Sequence, residues 1–159
     1  MDVKYNPLRL ENQLCFPIYL CSKEIINNYN SILKEINLTY TQYIVMMYFW
    51  EYKKCNVKNL SKVLLIDSST LTPLLKKLEN KKYIKRERNN KDERNLDLTI
   101  TDIGENLKDR ALIIPNKIGK CINLTNEEVE LLYKLTYKVL KNVIKEKENE
   151  SYRNKWWII

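Results

Sequence analysis

The chain has 159 residues, 44% apolar and 30% charged, which suits one ordinary folded domain. Its 28 Lys and Arg residues outnumber 20 Asp and Glu residues, and the net charge of +8 favours a polyanionic partner such as nucleic acid. Histidine is absent and glycine occurs twice, which excludes Ser-His-Asp triads, His-ligated metals, P-loops and Gly-rich dinucleotide sites. We therefore expect a protein that is not an enzyme and that binds no cofactor and no metal.

The sequence carries no sign of membrane insertion or of a disulfide framework. No stretch approaches the run of about 18 apolar residues that crosses a membrane, and the N-terminus lacks a signal-peptide pattern. We expect a soluble, cytoplasmic protein with no membrane partner. The cysteines, Cys15, Cys21, Cys55 and Cys121, show no CxxC spacing and so predict neither a zinc site nor a thioredoxin-like motif.

Two helices are predicted in the first third of the chain. The first covers about Pro17 to Leu33, with apolar residues at helical spacing and a proline where a missing N–H costs least. Thr39 stands three residues before Gln42, a capping box for a second helix that runs to about Glu51. Its sequence YIVMMYFW is apolar nearly all round, so we expect this helix inside the domain.

The next segment predicts a helix-turn-helix. A short amphipathic helix has one apolar face, formed by Val57, Leu60, Val63 and Leu64. A further helix follows the break at residues 66–67 and ends near Asn80. Pro73 favours a start near Thr70, whereas Asp67 and Ser68 also resemble helix caps. The sequence leaves that boundary open.

A hairpin and two more helices complete the prediction. Strand-like alternation over residues 83–88 and 96–100 predicts a two-stranded ribbon, with residues 89–93 as its tip. Thr101 can cap a helix that breaks near Pro115, and Thr125 with Glu128 forms a second capping box for a last helix to about Lys147. The final segment, SYRNKWWII, has no secure assignment.

This order of elements predicts a fold that is mainly α with a small β-ribbon. A helix-turn-helix followed by a ribbon is a winged helix, which we place at about residues 38–100 of a single protomer. The long apolar helices at about residues 8–37 and 101–148 exceed what a small DNA-reading head requires. We expect them to form the interface of a homodimer, with double-stranded operator DNA as the partner.

The candidate recognition helix begins with short hydroxyl side chains and continues with lysines. The hydroxyls can reach base edges and phosphates in the major groove, and the lysines can meet phosphates. These residues are Ser68, Ser69, Thr70, Thr72, Lys76 and Lys77. The alternative is that the hydroxyls only cap a solvated helix.

The hairpin is strongly basic. Between Lys76 and Arg94, nine basic residues against four acidic ones leave a local charge of +5. An arginine on a narrow hairpin can enter an A·T-rich minor groove, where the potential is most negative. The candidate contacts are Arg86, Arg88, Lys91, Asp92 and Arg94. Asp92 can orient the guanidinium of Arg94, although charged hairpins are often merely solvated.

The run from Val57 to Thr101, which includes DSSTLTPLLKKLENK and RNNKDERN, resembles the winged-helix core of MarR-family transcriptional regulators. LENQLCF and LTYTQY are similar to the organic hydroperoxide resistance regulators, OhrR, within that family. The resemblance covers about residues 8–145 and implies a homodimeric repressor whose sensing cysteine is oxidised by organic hydroperoxides. It places Cys15 on that cysteine, Tyr29 and Tyr40 on the tyrosines that hydrogen-bond it, and Asp92 with Arg94 on the wing pair. Pro17 departs from this resemblance, because a small residue is expected just after the sensing cysteine.

The chemistry of a sensing thiol fits the residues around Cys15. A helix beginning at Phe16 or Pro17 would place the thiol at the positive helix end, which favours the reactive thiolate. Leu14 and Phe16 supply apolar surface suited to an organic peroxide. Cys121 is the candidate resolving thiol for the sulfenic acid product, and we interpret Cys21 and Cys55 as structural.

Two other functions remain open from the sequence. A MarR-type repressor that responds to a small aromatic ligand would use Cys15 only for packing. A thiol peroxidase is less favoured, because the basic hairpin would then have no purpose. A small cellular thiol, rather than Cys121, can also resolve an oxidised Cys15.

Overall fold

In the computed structural model, residues 3–88 and 96–144 are described, residues 3–5 by their backbone alone. The chain divides into two compact units, residues 1–121 and 122–159. The helices of the described residues are α1 (Cys15–Leu33), α2 (Tyr40–Tyr52), α3 (Val57–Leu64), α4 (Ser68–Asn80), α5 (Asp102–Ala111), α6 (Ile114–Ile122) and α7 (Asn126–Val143). The strands are β1 (Lys54–Asn56), β2 (Ile84–Arg88) and β3 (Leu96–Ile100). Among these helices, none is long and apolar enough to cross a membrane.

Helix α1 begins at Cys15, two residues before the predicted start. Pro17 is its third residue, where the missing N–H would have no intrahelical partner in any case. A 3₁₀ turn, Lys34–Ile36, follows the helix and ends at Asn37, which adopts the left-handed conformation with φ 54°. This corner redirects the chain into α2.

The capping box predicted for α2 is confirmed. The Thr39 side chain accepts a hydrogen bond from the Gln42 N–H, and the Gln42 side chain accepts one from the Thr39 N–H. The helix is the centre of the core, because Val45, Met46 and Phe49 are fully buried. The prediction that α2 lies inside the domain is therefore also confirmed.

Helices α3 and α4 form the predicted helix-turn-helix. Asn56 caps α3 through its side chain, and Leu65 ends it in the left-handed conformation with φ 54°. The boundary that the sequence left open lies at Ser68, with Asp67 in the N-cap position. Pro73 consequently sits in the second turn. The buried face of α4, formed by Leu71, Leu75 and Leu78, holds the helix in the core despite this residue.

The sheet has three strands where the sequence predicted two. Its order is β1-β3-β2, and both pairs are antiparallel. Cys55 in β1 and Arg86 in β2 both lie opposite Leu98 of β3. Strand β1 has three residues and is too short to show alternation in the sequence. The predicted hairpin tip, residues 89–93, lies outside the described residues.

Helix α5 packs closely against the start of the β2–β3 ribbon. Thr101 caps the helix by accepting from the Gly104 N–H at 3.1 Å. The carbonyl of Gly104 accepts a hydrogen bond from the Trp50 indole N–H of α2 at 2.9 Å. A Cβ at this position would lie 2.1 Å from the Tyr83 carbonyl oxygen, so only glycine fits.

Helix α5 ends at Ala111, and α6 begins at Ile114 with Pro115 in its first turn, in agreement with the predicted break. In the second unit, the capping box between Thr125 and Glu128 is present, and α7 runs from Asn126 to Val143. Its predicted end at Lys147 lies outside the described residues. The apolar residues along α7 are exposed within the chain: Leu132, Leu135, Val139 and Val143.

Candidate DNA-binding surface and thiol site

The start of α4 presents polar groups to solvent. Ser68, Ser69 and Thr70 are exposed. The side chain of Asp67 makes no capping hydrogen bond within the described residues, so it caps neither the Ser69 nor the Thr70 N–H. Thr72 differs, since its hydroxyl donates to the Ser68 carbonyl at 2.7 Å and is committed to its own helix. The serines, together with the Thr70 hydroxyl, are therefore better placed for DNA than Thr72.

The lysines of α4 lie further along the helix. Lys76 and Lys77 are both exposed, whereas Leu75 and Leu78 point into the core. The same helix thus divides into a leucine face, which fixes it, and a hydroxyl and lysine surface. This division is what a recognition helix needs, because it presents polar groups from a rigid element.

The two described arginines of the ribbon differ in their surroundings. Arg86 donates from Nε and Nη2 to Oε2 of Glu79 in α4, at 2.7 and 2.6 Å, and its side chain is 17% exposed. Arg88 is exposed at the end of β2. Arg86 therefore links the ribbon to α4, and its partner Glu79 was not identified from the sequence. Lys91, Asp92 and Arg94 lie outside the described residues.

The thiol of Cys15 is exposed at the first residue of α1. Leu14 before it is 73% exposed and Phe16 after it is 37% exposed, so accessible apolar side chains flank Cys15 along the chain. The placement agrees with the prediction that Cys15 lies at a helix start.

Tyr29 and Tyr40 form an aromatic cluster with Tyr43 at the corner between α1 and α2. The ring centroids of Tyr29 and Tyr40 are 4.7 Å apart, and those of Tyr29 and Tyr43 are 5.9 Å apart. Burial raises the pKa of Tyr40, and burial with the neighbouring Tyr40 raises the pKa of Tyr29. Their hydroxyls therefore stay protonated at neutral pH and remain hydrogen-bond donors.

The structure does not bring this cluster to Cys15 of the same chain. Cys15 and Tyr29 both belong to α1 and are separated by fourteen residues. At 1.5 Å per residue this corresponds to about 21 Å along the helix. Within one chain, the hydroxyl of Tyr29 and the sulfur of Cys15 cannot share a hydrogen bond.

The other thiols occupy three different environments. Cys121 is exposed in the last turn of α6. Cys21 is exposed on α1, although a structural role was predicted for it. Cys55 is half-buried in β1, and burial raises the pKa of its thiol to about 12, which makes it unreactive.

Comparison with known proteins agrees with this geometry. Residues 27–111 match the family described as transcriptional regulator SarA/Rot. The organic hydroperoxide resistance transcriptional regulator of Bacillus subtilis (strain 168) is 36% identical over 143 residues, which cover 90% of this chain and 97% of that protein. The HTH-type transcriptional regulator SarZ of Staphylococcus epidermidis (strain ATCC 12228 / FDA PCI 1200) is 46% identical over 123 residues, covering 77% and 83% of the two chains.

A solved structure, that of reduced AbfR bound to DNA, superposes with a TM-score of 0.72 at 34% identity and covers 90% of this chain and all of that one. AbfR is a protein of Staphylococcus epidermidis. The mainly helical architecture with a small β-ribbon and the resemblance to MarR-type regulators are both confirmed. The chain belongs to the SarA/Rot family of MarR-like transcriptional regulators, which are built on a winged helix-turn-helix.

Proposed function

We propose that this regulator is a homodimeric, operator-binding repressor that senses organic hydroperoxides through Cys15 and releases DNA when that thiol is oxidised. Two similarities support it. The Bacillus subtilis relative is named for organic hydroperoxide resistance, and AbfR was solved in a reduced form on DNA. The membership of the family itself shows that the chain is a transcriptional regulator of the MarR and SarZ type.

The observation that carries the proposal is the separation of Cys15 from the tyrosines along α1. If two copies pack their α1 helices antiparallel and overlap over residues 15–29, Cys15 of each copy lies beside Tyr29 of the other. Tyr40 stacks on Tyr29 and would reach the same thiol. A sensor assembled in this way exists only in the dimer, because one chain supplies the thiol and its partner supplies the donors.

The uncovered apolar helices support the dimer. Phe16, Ile18 and Leu20 of α1 are between 37% and 48% exposed within the chain. In the second unit, the apolar residues of α7 are exposed as well, with Val143 at 70%. Many exposed apolar side chains on a folded chain favour an interface with another protein. We therefore assign dimerisation to the helices at about residues 8–37 and 101–148.

The redox steps balance with an organic hydroperoxide as the oxidant. The Cys15 thiolate attacks the distal peroxide oxygen, the O–O bond breaks, and the alcohol leaves after gaining a proton, so that Cys15 becomes a sulfenic acid. A second thiol then displaces hydroxide from the sulfenic sulfur, which yields a disulfide and water. Cys121 or a small cellular thiol can serve in this step, since either is a thiol exposed to solvent.

DNA binding is assigned to α4 and the wing. Ser68, Ser69 and Thr70 would meet base edges and phosphates in the major groove, and Lys76 with Lys77 would meet phosphates. Thr72, Arg86 and Arg88, with the wing residues Lys91, Asp92 and Arg94, complete the proposed surface. The dimer would contact two major grooves about one helical turn apart. Arg94→Ala should weaken operator binding by more than about 1 kcal/mol.

The test is a gel shift on the operator, before and after one equivalent of cumene hydroperoxide. We expect the parent protein to release DNA and Cys15→Ser to stay bound. Cys21→Ser is the matched control, because it removes another exposed thiol of the same helix and should respond like the parent. Release that persists in Cys15→Ser, or release by an aromatic ligand without oxidation, would contradict peroxide sensing through Cys15.

Peptide mass mapping of the oxidised protein separates the two resolving routes. A Cys15–Cys121 cross-link identifies Cys121 as the resolving thiol. A Cys15 adduct with unmodified Cys121 identifies a small thiol instead. An unmodified Cys15 after treatment would refute the proposed sensor altogether.

A further inference from the structure

The corner between α1 and α2 presents two hydrogen-bond acceptors to Lys81, at the end of α4. Asn37, which adopts the left-handed conformation, is exposed at this corner. Gln42 is the buried polar residue of the described core, 3% exposed, and its amide oxygen already accepts the Thr39 N–H at 3.2 Å. The Asn37 carbonyl oxygen and this amide oxygen each have two lone pairs, so each can accept a hydrogen bond from a further donor.

One side chain of α4 supplies those donors. Lys81, the residue that ends α4, donates from Nζ to the main-chain oxygen of Asn37 at 2.5 Å and to Oε1 of Gln42 at 3.1 Å. The side-chain oxygen of Asn37 lies 3.4 Å from the same nitrogen. A single ammonium therefore joins the end of the recognition helix to the corner that precedes α2.

The joined corner also carries the tyrosine cluster. Tyr40 and Tyr43 lie in the first turn of α2, on either side of Gln42, and both pack on Tyr29. Lys81 is half-buried, and burial with the neighbouring Lys77 lowers the pKa of its ammonium. Charge-assisted hydrogen bonds are stronger in such surroundings than on an open surface.

We propose that Lys81 is a positioning residue, which transmits movement of the Tyr29–Tyr40 corner to the recognition helix α4. This inference rests on the proposed function for its sensing half. If oxidation displaces the tyrosines, the first turn of α2 and the Asn37 carbonyl move with them. Because the Lys81 ammonium is bonded to Gln42 and to Asn37, it then shifts the end of α4. The hydroxyl residues at the start of α4 consequently leave the major groove.

The test compares Lys81→Met with Lys82→Met. The first variant keeps the aliphatic stem and removes the donors. The second removes the same charge from the next residue, which is exposed and for which no side-chain partner is found among the described residues. For each variant, operator affinity is measured in the reduced protein and again after cumene hydroperoxide, and the ratio of the two is the coupling.

We expect Lys81→Met to lower reduced-state affinity by roughly tenfold and to bring the ratio close to one. Lys82→Met should change the affinity by no more than about threefold, the loss of one phosphate-attracting charge, and should keep the parental ratio. A purely structural lysine would lower stability without changing the ratio. Lys81→Arg, which keeps the charge and the donors, should recover most of the coupling.

The outcomes are distinguishable from failure of peroxide sensing itself. If the parent protein does not respond to cumene hydroperoxide, the proposed function fails, and the transmission role fails with it. If the parent responds and Lys81→Met keeps the parental ratio, Lys81 is not the connection. Should circular dichroism show that Lys81→Met is unfolded, Lys81→Gln replaces it with the same expectations.

Discussion

Gly104→Ala should destabilise the protein, although alanine is the better helix former. A Cβ at Gly104 would meet the Tyr83 carbonyl oxygen at 2.1 Å, whereas ordinary contact begins at 3.4 Å, so α5 and Tyr83 must separate by about 1.3 Å. That movement strains two hydrogen bonds, the one from the Thr101 N–H to the Tyr83 carbonyl at 3.1 Å and the one from the Trp50 indole to the Gly104 carbonyl at 2.9 Å.

The magnitude follows from these opposing effects. Overpacking of this kind costs about 1–3 kcal/mol, and each weakened hydrogen bond costs about 1 kcal/mol more. The higher helix propensity of alanine relative to glycine offsets at most about 1 kcal/mol of this loss. We expect a net loss of about 2–4 kcal/mol in the free energy of unfolding.

Gly119→Ala is the matched control. Gly119 lies in α6, and no described atom comes within 4 Å of a Cβ built there, so alanine should stabilise the protein by up to about 1 kcal/mol. The assay is urea unfolding at one fixed protein concentration, because a dimer's stability depends on concentration. If Gly104→Ala is as stable as the parent, or if both substitutions change the free energy of unfolding in the same direction, then Gly104 does not lie as close to the Tyr83 carbonyl as described.

Three further outcomes are expected. Cys55 should react with a thiol-specific disulfide reagent at neutral pH far more slowly than Cys21, since burial raises its pKa to about 12; equal rates would contradict this. Burial, together with the neighbouring tyrosines, raises the pKa of Tyr43 from 10 to about 12, so the folded protein should lose stability as the pH rises from 10 to 12, as pH-dependent unfolding would show. A double-mutant cycle on Glu79→Ala and Arg86→Ala should give a coupling of about 1 kcal/mol in unfolding; a value near zero would show that the ion pair does not fix the ribbon.

Local patterns predicted most of the helices and their ends. The Thr39–Gln42 and Thr125–Glu128 capping boxes join residues three positions apart, so the sequence contains both partners of each bond. Strand β1 was missed because its three residues become a strand only by pairing with β3, more than forty residues later. The start of α4 was ambiguous for a related reason, since burial of its leucines outweighs the local preference of Pro73.

The sequence by itself determined the class of protein and the candidate residues. Helical periodicity, helix caps and the basic hairpin are each local features, because each depends on residues that are close together in the sequence. The tertiary structure alone decided how those residues are used. It paired Arg86 with Glu79 and joined Lys81 to Gln42. Such relations depend on how several elements pack together, and no single segment of the sequence specifies that packing.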